Sequence, residues 1–224
     1  MLEPLVIDPF FNGPPGSANG GYTCGLLAAR LGGEAEVTLR RPPPLGRPLR
    51  VEWRGEGLAV LDGDEVVAEA VPARVEVRPP VPPYRAEADE ASRRYPGFRH
   101  HAYPTCVVCG PERADGLRIF AAPLPGTEIV AAPWTPAAEP PPEIVWAALD
   151  CPGAIAVGFP ERGEWLLGRL AARVVRLPRA GEPCIVVGWP LGGKGRRAEA
   201  GTALHGAAGE VLALARATWV QPRA

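Results

Sequence analysis

Apolar residues alternate with polar ones, or run in short blocks, over residues 34–41, 49–53, 58–61 and 66–77, the pattern of strands with one buried face. Asp62-Gly63-Asp64 between the last two predicts a tight hairpin turn. Leu5-Val6-Ile7 predicts a short first strand. Further strands are expected at 117–122, 128–132, 165–177, 184–189, 201–205 and 210–221. Two segments carry helical spacing instead. In the first, Ser17 or Asn19 can cap a helix whose apolar face is Leu26, Leu27, Ala28 and Leu31, and Gly32-Gly33 stops it. The second is launched by Pro140-Pro141-Pro142, runs through 143–150, and is interrupted near Asp150 by Pro152.

The pattern occurs twice. Val37-Thr38-Leu39-Arg40-Arg41-Pro42, a loop and Leu49-Arg50-Val51-Glu52-Trp53 resemble Val174-Val175-Arg176-Leu177-Pro178, a loop and Ile185-Val186-Val187-Gly188-Trp189. Leu61-Asp62-Gly63 followed by Glu65-Val66-Val67-Ala68 resembles Leu204-His205-Gly206 followed by Glu210-Val211-Leu212-Ala213. A helix followed by four strands, present in two copies, implies a duplicated α+β unit in which a curled antiparallel sheet covers its helix. Residues 78–116 belong to neither copy. They begin Pro79-Pro80-Val81-Pro82-Pro83, become charged, then carry aromatics and histidines, and they read as a linker laid over the surface.

Composition narrows the function classes. The 224 residues have a net charge of −1, so no basic field points to nucleic acid. Arginine carries nearly all the positive charge, Lys194 being the lone lysine. No stretch approaches a membrane span, and Met1-Leu2-Glu3-Pro4 lacks the basic start and apolar run of a secretory leader. Five cysteines, an odd number, favour a reducing compartment over a disulfide framework. The expectation is a cytoplasmic protein that binds neither membrane nor nucleic acid.

With the repeat in place, the chain resembles the double hotdog proteins of the acyl-CoA thioesterase-like superfamily. Asn19-Gly20-Gly21 resembles the glycine-rich start of hotdog thioesterase helices. Val145-Trp146-Ala147-Ala148-Leu149-Asp150 resembles the hotdog helix segment that ends in an aspartate, and Ala217-Thr218-Trp219-Val220-Gln221 resembles a closing strand with a functional glutamine. The resemblance implies an α+β double hotdog, with a first unit at 1–77, the linker at 78–116 and a second unit at 117–224. It also implies a homo-oligomer, no required cofactor, and hydrolysis of an acyl-CoA or related thioester at a composite site between the units; no residue is assigned to a metal. A non-catalytic acyl or acyl-CoA binding protein is the alternative on the same fold. Enoyl-CoA hydratase chemistry is a weaker rival, because the expected Asp-plus-His pair is missing.

The two copies complement each other. The first has an uncovered, glycine-bearing helix start but Leu26 and Leu27 where an acid would lie; the second has Asp150 but no glycine pair. The expected roles follow: Gly20 and Gly21 N–H groups polarise the thioester carbonyl, and Asp150 orients or deprotonates water. Gln221 positions that water, and Asn19 orients the substrate or the turn. Thioesterases with the aspartate and glutamine also use a hydroxyl residue on a strand after the second helix, yet residues 165–177 contain no Ser or Thr. Thr202 or Thr218 would have to replace it.

Two clusters remain. Gly192-Gly193-Lys194-Gly195-Arg196-Arg197 places Lys194, Arg196 and Arg197 between two strands, where they are candidates for the coenzyme A phosphates. Cys106-Val107-Val108-Cys109-Gly110 is only half of a zinc-type ligand set, with His100 and His101 upstream, and reads rather as a structural or redox-sensitive thiol pair; Cys24, Cys151 and Cys184 read as core residues.

Overall fold

The computed structural model describes residues 2–222. The strands are β1 (Leu5–Val6), β2 (Ala35–Leu39), β3 (Pro48–Arg54), β4 (Gly57–Asp62), β5 (Glu65–Pro72), β6 (Ala122–Pro123), β7 (Val130–Trp134), β8 (Leu166–Val174), β9 (Cys184–Lys194), β10 (Arg197–His205) and β11 (Val211–Val220). The helices are α1 (Gly20–Leu31), α2 (Arg85–Ser92), α3 (Pro142–Ala148) and α4 (Cys151–Ala156). All the strands join one antiparallel sheet in the order β1-β3-β4-β5-β2-β8-β11-β10-β9-β7-β6. Within it the same order appears twice. The first half reads first, third, fourth, fifth, second strand, and β7-β9-β10-β11-β8 repeats that order from the other edge.

The seam is β2 against β8, with Val37 opposite Leu170 and Thr38 opposite Arg169. Both strands alternate, and the register puts Val37 and Leu170 together on the helix-covered face. α1 begins where Asn19 Oδ1 accepts the Tyr22 N–H at 2.8 Å, and it ends at Gly32 in the left-handed conformation (φ 79°). It packs on its own sheet and on α3. Gly21 and Gly25 lie one turn apart on the face toward α3. A Cβ on Gly25 would sit 2.5 Å from the Glu143 Cα, and one on Gly21 would sit 2.7 Å from the Trp146 carbonyl oxygen. Only glycine lets these helix backbones come so close.

Residues 73–121 depart from a plain surface linker. The first part crosses the outward face of the sheet: Val75 and Ala88 of α2 pack with Ala131, Ala171, Val187, Ala203 and Leu214 in a second apolar cluster. The chain then turns inward. Tyr95, Val107, Val108, Ile119 and Phe120 join the main core, and the strand expected at 117–122 shrinks to the short β6, because residues 117 and 119 donate to the carbonyls of Val107 and Val108 rather than to a sheet neighbour. Arg113 ties this segment to the first half through the Phe10 carbonyl and Asn12.

Candidate active site

The broken second helix sets up the site. Asp150 lies between α3 and α4, and Pro152 opens α4 rather than kinking one long helix. As the residue before α4, Asp150 could cap it, but its side chain makes no capping bond. It reaches across to α1 instead. Its Oδ2 accepts the Gly21 N–H at 2.9 Å and the Asn19 Nδ2–H at 3.0 Å, while Oδ1 is buried without a partner among the described residues. Asn19 thus holds two elements at once, its oxygen capping α1 and its amide fixing the carboxylate. Burial pushes the Asp150 carboxyl up to about 7, with the Gly21 N–H opposing that rise, the Cys106 sulfur adding to it, and the Asn19 amide also opposing.

Asp150, Asn19 and Gly20 open onto a cavity of about 600 Å³ beside the β2–β8 seam. Its walls are largely apolar, including Leu39, Ala154, Phe159, Leu166 and Leu167. That volume is typical of a small-molecule site. A few unsatisfied polar groups lie in its walls. The Trp165 and Trp219 indole N–H groups are buried, line the cavity and have no partner among the described residues. Gly20, the first residue of α1, likewise has an N–H without an acceptor among the described residues.

The structure therefore brings Asn19, Gly20, Gly21 and Asp150 together, and separates the other expected site residues from them. The expectation that Gly21 offers its N–H to substrate is corrected: the Asp150 carboxylate already holds that proton, leaving Gly20 as the donor facing the cavity. Gln221 is not on the cavity wall, because its amide donates to the Arg162 carbonyl at 2.8 Å just beyond the end of β11. Thr202 does not face the cavity either; its hydroxyl donates to the Leu149 carbonyl at 2.8 Å and anchors the end of α3. Lys194, Arg196 and Arg197 sit at the β9–β10 hairpin, outside the cavity lining, where the Arg196 guanidinium donates to the Gln221 carbonyl at 3.0 Å. Arg197 pairs in register with Val220, which does line the cavity, so the hairpin lies one strand from its wall. Arg40 and Arg41 are the arginines on the lining itself, a placement that the sequence reading missed.

Cys151 belongs to the main core, as expected, and also borders the cavity. Its Sγ lies 3.8 Å from the Cys106 Sγ, and Cys106, Cys109 and Cys151 all line the cavity.

No protein-family model matches the sequence, and no curated protein matches it. Solved structures do. A protein provisionally named thioesterase II from Thermobifida fusca superposes with a TM-score of 0.65 at 15% identity, covering 98% of this chain and 93% of that one. A protein with a hot dog fold from Alicyclobacillus acidocaldarius gives 0.61 at 12% identity over 93% and 89%. The acyl-CoA thioesterase II TesB2 of Mycobacterium marinum gives 0.57 at 13% identity over 93% and 92%. The chain is a double hotdog. The match covers nearly the whole of each chain, as a fused pair of units requires. It also agrees with the strand order repeated on either side of the β2–β8 seam. In this double hotdog each unit supplies one side of the cleft: α1 of the first brings backbone donors, and the break between α3 and α4 of the second brings the carboxylate. No helix among the described residues is long and apolar enough to cross a membrane.

Proposed function

We propose that this double hotdog hydrolyses the thioester of an acyl-CoA or a related acyl thioester at the cavity between its halves. One observation carries the reading: a buried carboxylate has one oxygen clamped by donors from the opposite unit and its other oxygen unpartnered beside an apolar cavity. Such a carboxylate is oriented before substrate arrives, which is what a general base requires. The names of the M. marinum and T. fusca neighbours support the substrate class.

In this reading the acyl chain lies along the apolar wall and the carbonyl oxygen accepts the Gly20 N–H at the α1 start. Asp150 Oδ1 takes a proton from water while the water oxygen adds to the carbonyl carbon. The carbon–sulfur bond then breaks, and the proton held by Asp150 passes to the departing sulfur, giving a carboxylic acid and a free thiol. Asn19 acts as a positioning residue through its bond to Asp150. Lys194, Arg196 and Arg197 meet the coenzyme A phosphates from the hairpin, and Gln221 braces that hairpin rather than touching water. The five unpaired cysteines suit a reducing, cytoplasmic setting. Exposed Trp53 and Val71 on the first unit's sheet support self-association.

A panel of acyl-CoA esters of graded chain length, with thiol release as the readout, tests the proposal. Turnover of at least one member is expected. Saturable binding without thiol release across the panel would replace it with the non-catalytic binding protein.

A further inference from the structure

We propose that Cys106, Cys109 and Cys151 bind one zinc ion as thiolates, with its fourth ligand supplied from the cavity. The three sulfurs all lie within 4.8 Å of one another, and Cys106 and Cys151 are separated by 3.8 Å. Zinc–sulfur bonds of about 2.3 Å at tetrahedral angles put neighbouring sulfurs about 3.8 Å apart. The ligands come from two places, a Cys-x-x-Cys loop and the first residue of α4, so the ion would pin the inward-turning segment to the second unit.

The surroundings are those of a charged sulfur cluster rather than of three packed thiols. The Asn19 amide reaches the Cys106 sulfur at 3.9 Å. Gly110 closes the loop where a Cβ would come within 2.5 Å of the Cys106 nitrogen, so the tight turn over the sulfur admits only glycine. His101 contributes from behind. Its Nδ1 accepts the Tyr103 N–H at 2.9 Å, so its proton resides on Nε2, which is 3.5 Å from the Cys109 sulfur and 2.8 Å from the Tyr95 hydroxyl. In that tautomer the Nε2–H points between the Tyr95 oxygen, whose own proton goes to the Cys109 carbonyl, and the Cys109 sulfur, so His101 stands behind the cluster and is not itself a ligand. Three soft ligands select zinc over magnesium or calcium. Cys24 and Cys184 are buried without such donors and stand outside the cluster. The Asn19 amide bridges Cys106 and Asp150, so the cluster neighbours the carboxylate that the hydrolysis reading uses. The metal proposal does not depend on that reading.

The test is metal analysis of tag-free protein purified under reducing conditions without chelator, followed by cobalt(II) exchange. About one zinc per chain is expected, and cobalt should give thiolate-to-metal charge-transfer bands with the strong visible absorption of a four-coordinate ion. Cys106→Ser and Cys151→Ser should each lose that spectrum, and Cys184→Ser should keep it. If a serine variant does not fold, the cobalt spectrum of the unaltered protein decides alone. Reduced, folded protein that neither contains zinc nor takes up cobalt overturns the site. So does a Cys106–Cys151 or Cys106–Cys109 disulfide that survives the reducing purification, seen as three free thiols in place of five.

Discussion

The two halves use the same strand order but start their helices in opposite ways. α1 opens on Asn19-Gly20-Gly21, a side-chain cap followed by two backbone N–H groups turned toward the seam. α3 opens on Pro140-Pro141-Pro142, with proline in its first turn and no side-chain cap. Proline has no N–H, so the equivalent donor position in the second half cannot polarise a carbonyl. The difference runs the other way at the far ends of the helices. α1 continues unbroken through Leu26 and Leu27, whereas the second half breaks after Ala148 and frees Asp150 to cross the interface. Each half has kept the part that the other lacks. In the proposed reading the duplicated fold uses one composite cleft, whose integrity depends on how closely α1 and α3 approach.

That dependence can be broken from either side. Asp150→Asn keeps an oxygen to accept the Gly21 N–H but removes the base, and it should lower kcat for thiol release by about 10²–10⁴-fold while thermal unfolding changes little. Gly25→Ala forces a methyl group against the Glu143 backbone. It should cost about 1–3 kcal/mol in urea unfolding and weaken activity, because the same displacement draws Gly21 away from Asp150. Asn19→Ala removes the α1 cap, costing about 1 kcal/mol of stability, and its loss of turnover should exceed that of an N-cap elsewhere because Asp150 loses a donor. Charge reversal at Arg196 and Arg197 acts from outside the cavity, so it should raise KM for acyl-CoA more than it lowers kcat.

The smallest effect lies far from the cleft. The Arg176 guanidinium holds the Glu182 carboxyl down from 4.5 to about 2, through contacts at 2.6 and 2.9 Å. A depressed folded value means that this contribution is full above the unfolded value and is lost as pH falls from about 4.5 toward 2. Arg176→Met should therefore narrow the stability difference from the unaltered protein between pH 5 and pH 2, measured by thermal melts across that range.

The regular parts of the fold were legible because their cause is local. Alternation marks β2 and β3, a short apolar block marks β4, and Asn19 and Gly32 mark the limits of α1. The duplication was visible because equivalent hairpins tolerate similar residues, as Leu61-Asp62-Gly63 into β5 and Leu204-His205-Gly206 into β11 do. What could not be read depends on contacts distant in sequence. Proline and charge in residues 78–95 hide the fact that Tyr95, Val108 and Ile119 enter the core. Cys151 looks like any small buried residue until folding brings it to Cys106. Gly21 and Gly25, two glycines one helical turn apart, do not say in sequence that the surface they meet is α3. Gln221 was placed by resemblance alone, and the Arg162 carbonyl that claims it lies in a loop with no periodic pattern.

The central claim is one composite cleft per chain, donors from the first half facing a carboxylate from the second. It is tested most directly by calorimetric titration with a non-hydrolysable thioether analogue of the best acyl-CoA substrate. The account predicts one analogue bound per chain, with binding weakened by Gly25→Ala although that residue lines no part of the cavity. Two analogues per chain, or binding untouched by Gly25→Ala, would contradict it.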